Sequence, residues 1–169
     1  MKIRNLSLQR PRRAGFTLLE VVIAMTILIV SMGGMLSSML ASEKLGQTNE
    51  ERQLAIHAAE SMIETLQGQD FSALFTTFDG RTFEVPGLDP QPGSMVPGRI
   101  DFPGTGGVLR EDVTDPGLGM PRDLNADGVI DGFDHSGDYT LLPVRIQVAW
   151  RGKAGDAQVE LQTYLFDLD

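Results

Sequence analysis

A chain of 169 residues has room for one modest domain and an anchoring segment, and two soluble domains would be crowded in it. It carries 23 acidic against 14 basic side chains, for a net charge of −9, and its lack of cysteine excludes a disulfide framework and thiolate chemistry. Five of the basic residues (Lys2, Arg4, Arg10, Arg12, Arg13) precede Gly15 with no acid among them, so the rest of the chain sums to about −14 and offers nucleic-acid phosphates no basic footprint.

From Phe16 to Ala41 the single ionisable side chain is Glu20. About 20 apolar residues suffice to cross a hydrocarbon core, so this run reads as membrane-spanning. It is too long for the apolar core of an ordinary secretory signal, which is about 7 to 15 residues. The basic flank places the N-terminus on the cytoplasmic side and the bulk of the chain outside. A carboxylate inside such a run costs roughly 2.5 to 3.5 kcal/mol on insertion scales, so it needs a partner or a route to the headgroups. A cut after Gly15 would supply the partner, because the new ammonium of Phe16 lies one helical turn from Glu20, in the same subunit or a neighbouring one.

The hexad Gly15-Phe16-Thr17-Leu18-Leu19-Glu20, where the basic cluster meets the apolar run, resembles the processing site of type IV pilin-like precursors. The resemblance implies that a prepilin peptidase removes leader residues 1–15 and methylates Phe16. It further implies that Glu20 guides assembly with other pilin or pseudopilin subunits, on a membrane platform driven by its ATPase. Within the family, the Val-Val-Ile-Ala run after Glu20, Ser37 in place of the proline that major pilins often carry, and the stretch Ala58 to Glu64 look like two groups. These are the minor pilins of the pilus-modification type and the secretion pseudopilin called I. The role implied is structural, with no enzymatic activity. A competing reading is an extracytoplasmic binding protein, stabilised by calcium and held by an uncleaved signal-anchor helix whose Glu20 snorkels to the interface.

Glu43, Lys44, Glu50, Glu51 and Arg52 mark emergence into water after the apolar segment 16–42. In 43–67, Leu54, Ala55, Ala58, Ala59, Met62, Ile63 and Leu66 then recur at helical spacing, so one helix is expected over 16–67. Gly68 is its expected C-cap and Gly33-Gly34 its soft spot.

The remaining residues, 68–169, read as a globular head. Residues 86–121 hold seven prolines and eight glycines, which rules out a continuous helix and disfavours central strands, so a surface excursion is expected there. Short strands are expected at 81–85 and 99–102. Val144, Ile146, Val148 and Trp150 alternate with Arg145, Gln147, Ala149 and Arg151, the period of a half-buried strand. A turn over 152–156 and a second run with Val159, Leu161 and Leu165 complete a hairpin over 143–167. Its apolar face would cover the helix, so the fold class expected is α+β, a long N-terminal helix on a small antiparallel sheet.

Asp123, Asn125, Asp127, Asp131 and Asp134 stand at positions 1, 3, 5, 9 and 12 of a loop with Gly128 at position 6, the spacing of a calcium loop over 123–134. The carbonyl of Val129 would add a ligand. Asp134 is shorter than the usual bidentate glutamate, as in the loops of dockerin modules, although those carry two repeats and this chain has one. Some secretion pseudopilins similarly stabilise a C-terminal loop with calcium. The two histidines, His57 and His135, read as surface or packing residues, Trp150 as core, and Glu60 and Glu64 as a solvated helix face. No Gly-x-Ser-x-Gly elbow accompanies His135-Ser136-Gly137-Asp138.

Overall fold

The computed structural model describes residues 15–167, and leader residues 1–14 lie outside the described residues. Helix α1 (Leu18–Gln67, 50 residues) runs unbroken through Gly33 and Gly34. The chain divides after Glu43 into two compact units.

In the first unit the helix surface is apolar and exposed, from Leu18 through Leu40. Among the described residues, α1 is the one helix long and apolar enough to cross a membrane. Three of its hydroxyls are satisfied within the helix: Thr26, Ser31 and Ser37 donate to the carbonyls of Val22, Ile27 and Gly33 at 2.8, 2.7 and 3.0 Å. Such back-bonding matters in a lipid-facing helix, where an unpaired polar group costs several kcal/mol.

The second unit, from Lys44, contains the rest of α1, then α2 (Leu74–Phe78) and β1 (Thr82–Phe83), β2 (Gly98–Asp101), β3 (Gly104–Thr105), β4 (Val108–Leu109), β5 (Leu141–Gly152) and β6 (Gly155–Phe166). Strands β1, β2, β5 and β6 form an antiparallel sheet in the order β1-β2-β5-β6, and β3 pairs β4 separately. This is the expected α+β arrangement. The hairpin opens at Leu141 and turns through Lys153 and Ala154 alone, a tighter turn than 152–156, because Gly152 and Gly155 pair directly. Gly68 ends the helix with its N–H on the Glu64 carbonyl and does not take the left-handed conformation expected of a C-cap.

One sheet face makes the core. Leu142, Val144, Ile146, Val148 and Trp150 are all buried, backed by Ala157, Val159, Leu161 and Leu165 of β6. They pack with Ala55, Ala59 and Leu66 of α1, and each fully buried Val, Leu or Ile contributes about 1.5 to 3 kcal/mol. Glu51 joins helix to hairpin, accepting from the Trp150 indole at 3.4 Å and the Lys153 backbone N–H at 3.2 Å.

The excursion 86–121 does not stay on the surface. Leu88, Ile100, Phe102, Leu109, Leu118 and Met120 are buried in the same core, which its proline and glycine content alone does not reveal. On the sheet's polar face Arg145 reaches Asp115 at 2.7 Å and Glu160 at 2.8 Å. A Cβ at Gly117 would stand 2.8 Å from the Arg145 guanidinium, so a larger residue there would push that side chain from its place.

The Arg145 hydrogen bond, reinforced by the Leu118 and Gly117 N–H groups, holds the Asp115 carboxyl below its ordinary range despite partial burial. Asp115→Asn is expected to lower the unfolding free energy by about 1.5 to 3 kcal/mol near pH 7, the scale of a hydrogen bond to a charged group. The folded pKa lies below the unfolded value of about 3.9, so this contribution is complete above that value and lost as pH falls through the folded pKa. Urea midpoints of wild type and variant should therefore converge in acid, and a gap that stays constant with pH would contradict the assignment.

Candidate functional site

Two places in the chain carry chemistry. The first is the junction Gly15–Glu20. Gly15, Phe16 and Thr17 precede the helix in extended or irregular backbone, and Phe16 is 82% exposed. Helix α1 begins at Leu18, and the Thr17 hydroxyl accepts from the Glu20 backbone N–H at 3.2 Å. Thr17 is therefore the N-cap and Glu20 the third helical residue, the Thr-x-x-Glu arrangement of a capping box. The Glu20 carboxylate lies in the first turn, where the unpaired N–H groups and the helix dipole favour negative charge. The Thr-x-x-Glu spacing was present in the sequence as a helix-start signal, independent of any role for Glu20 in assembly.

The second place is the acidic loop 123–134. Its backbone turns sharply, with Ala126 at φ 63° and Gly128 at φ 86°. Several acidic and amide side chains fold back onto the loop. The two Asp123 oxygens accept from Ala126 and Gly128 at 2.7 and 2.8 Å, Asn125 from Asp127 at 3.1 Å, Asp127 from Val129 at 2.8 Å and Asp131 from Phe133 at 2.8 Å. The Asn125 amide also donates to Asp127 and Asp138, at 3.3 and 3.2 Å. Asp134 is committed to Ser136 and to the Leu109 N–H, and those bonds hold its carboxyl below the ordinary range. Val129 is exposed, as are Ile130 and Phe133.

Of the six expected ligands, the structure draws Asp131 into a different company. Among the described residues, the one set of three acidic or imidazole side chains with ligand atoms all within 4.8 Å is Glu111, Asp131 and His135. Glu111 comes from the excursion and is fully buried. Its Oε1 accepts from the backbone N–H groups of Leu124 at 2.6 Å and Asn125 at 3.3 Å, and its Oε2 from that of Asp131 at 3.3 Å. One carboxylate thus pins the loop at two points, and the Asp112 N–H adds a bond to the Asp131 carbonyl at 3.1 Å.

His135 is buried, in keeping with a packing role, while His57 is exposed beside Glu60. The His135 ring stands between acids, with Nε2 3.1 Å from Asp131 and 3.8 Å from Glu111, and Nδ1 3.2 Å from Asp138. Burial disfavours its charged form, but the hydrogen bond to Asp131, the charge of Glu111 and the contact with Asp138 outweigh it, so the pKa is raised. The Phe133 N–H first and then His135 hold the Asp131 carboxyl low. Three such groups could hold a metal ion. Sequence reading had no signal for Glu111, which stands outside the loop's spacing and meets it only in the fold.

Residues 10–36 match the family model of the prokaryotic N-terminal methylation motif. The chain therefore carries a prepilin-type cleavage and methylation motif, and its N-terminal apolar helix with an α+β head is pilin-like in architecture. No curated protein and no solved structure matches the chain.

Removing the Glu111 carboxylate would orphan three backbone N–H groups in a buried corner, each at about 1 to 3 kcal/mol when fully desolvated. Glu111→Ala is expected to lower stability by about 3 kcal/mol or more, and Glu111→Gln, which keeps an acceptor oxygen, by less. Equal denaturant midpoints for wild type and Glu111→Ala would show that the carboxylate does not hold the loop.

Proposed function

We propose that this chain is a structural minor subunit of a type IV pilus or a type II secretion pseudopilus, made as a single-pass inner-membrane precursor with its head extracytoplasmic. The observation that carries this reading is the methylation motif over residues 10–36 combined with one acid, Glu20, in an otherwise uncharged apolar run. In this reading a prepilin peptidase cuts after Gly15 and methylates Phe16. The mature N-terminal ammonium then compensates the Glu20 carboxylate, so that subunits pack side by side through the 16–42 helix without leaving a bare charge in lipid. An assembly platform with its ATPase drives this packing, and the subunit itself performs no catalysis. The likeness to pilus-modification minor pilins and to pseudopilin I supports a minor rather than a major position.

The loop 123–134 is proposed to bind calcium as a clamp on the head. Support comes from the full set of oxygen donors at calcium-loop spacing and from Gly128, whose φ of 86° permits the sharp turn. Carboxylate oxygens that already accept one N–H keep a second lone pair for a cation. In a head without cysteine, such a clamp would do the work of a disulfide.

Two measurements test these readings. Co-expressed with a prepilin peptidase, the membrane-extracted protein is expected to begin at a methylated Phe16. Glu20→Gln should be processed normally but enter filaments poorly. Retention of Met1 would instead favour an anchored binding protein, and wild-type filament yield from Glu20→Gln would refute the ion-pair role. For the loop, Asp127→Ala should lower the thermal midpoint in calcium and change little in chelator, whereas equal losses in both would refute the clamp.

A further inference from the structure

We propose that Glu111, Asp131 and His135 form a second divalent-cation site, beside the loop's calcium-type ligands, that takes a borderline transition cation of the zinc class. The inference stands on different residues from the calcium clamp, apart from the shared Asp131, and does not depend on it.

Donor chemistry is the first argument. A site with an imidazole nitrogen suits zinc-class ions, whereas calcium takes oxygen ligands. Spacing is the second. With metal–ligand bonds of about 2.0 to 2.2 Å, two donors on a tetrahedral ion stand about 3.4 Å apart. The His135 Nε2 lies 3.1 Å from Asp131 Oδ1 and 3.8 Å from Glu111 Oε2, on either side of that value.

Orientation is the third. The Nδ1 of His135 faces Asp138 Oδ1 at 3.2 Å, so when a metal displaces the Nε2 proton that now faces Asp131 at 3.1 Å, this carboxylate–imidazole pairing would keep the remaining proton on Nδ1. Glu111 is also fixed in place, because the Leu124 and Asn125 N–H groups hold Oε1 and the Asp131 N–H holds Oε2, which faces His135 with a lone pair to spare. Charge is the fourth. With neutral imidazole the three groups carry two negative charges, one on a fully buried carboxylate, and a divalent ion cancels both. The bound ion would join the segment after β4 to the loop's far end, adding a cross-link between residues 111 and 131–135 where no disulfide is possible.

The test uses the full-length protein in detergent with Co²⁺ as a spectroscopic stand-in for zinc. One equivalent is expected to bind with visible bands of four-coordinate cobalt, to be displaced by Zn²⁺, and to survive a 100-fold excess of Ca²⁺. His135→Gln and Glu111→Gln should each weaken Co²⁺ binding at least about 100-fold, and Asp138→Asn about 10- to 100-fold, the range for partners that orient a ligand. Asp127→Ala should leave Co²⁺ affinity within about twofold, so that failure of the calcium clamp and failure of this site are separately visible. Lack of saturable one-equivalent binding to folded wild type, displacement by Ca²⁺, or unchanged affinity in a folded His135→Gln variant would overturn the proposal and leave His135 a buried imidazolium among acids.

Discussion

The head is built on one apolar core, shared by the alanine-lined face of α1 and the apolar ladder of β5. Ala55, Ala59 and Leu66 of α1 are buried in the same core as Leu142, Val144, Ile146, Val148 and Trp150, which bring branched and aromatic surface to it. From Val144 to Arg151 burial alternates, so a slip of one residue would exchange this ladder for Arg145, Gln147 and Arg151, and the register is held by the burial itself. Glu51 closes the far end of the contact by bonding both the Trp150 indole and the hairpin turn. Everything else in the second unit is added to this helix-on-hairpin base.

What is added first is the excursion. A stretch rich in proline and glycine forms little regular structure, so it needs anchors from elsewhere to stay ordered. It has two kinds. Leu88, Ile100, Phe102, Leu109, Leu118 and Met120 reach into the common core, and Asp115 is tied to Arg145 on the opposite face of the sheet. Further along, Glu111 carries the order of the excursion onward to the acidic loop by accepting its backbone N–H groups. The loop therefore rests on the excursion, and the excursion on the sheet.

The N-terminal segment obeys a different constraint. Its surface is apolar, the Thr26, Ser31 and Ser37 hydroxyls are bonded to its own backbone, and the one charge of 16–42 sits at the third residue of the helix. The helix dipole favours a first-turn carboxylate, while the Thr17 hydroxyl caps the Glu20 backbone N–H. It does not by itself compensate a full charge in hydrocarbon, which is why a free ammonium at Phe16 is the stronger partner in the proposed assembly. The two accounts are compatible, because the N–H capping uses the backbone of Glu20 and leaves its carboxylate available.

Features that rest on residues near one another in the chain are legible without the fold. The long apolar helix with Glu20 near its start, the amphipathic stripe from Leu54 to Leu66 and the β5–β6 alternation are legible because backbone geometry repeats every 3.6 or 2 residues, and loop 123–134 because its donors lie within twelve residues. The fold alone shows that the excursion sends six apolar side chains into the core, that Asp115 belongs with Arg145 thirty residues later, and that Glu111 and His135 stand beside Asp131. The reason is physical. Buried polar groups must find partners wherever the fold brings them, and a carboxylate's choice among distant N–H groups and imidazoles leaves no periodic trace in the chain.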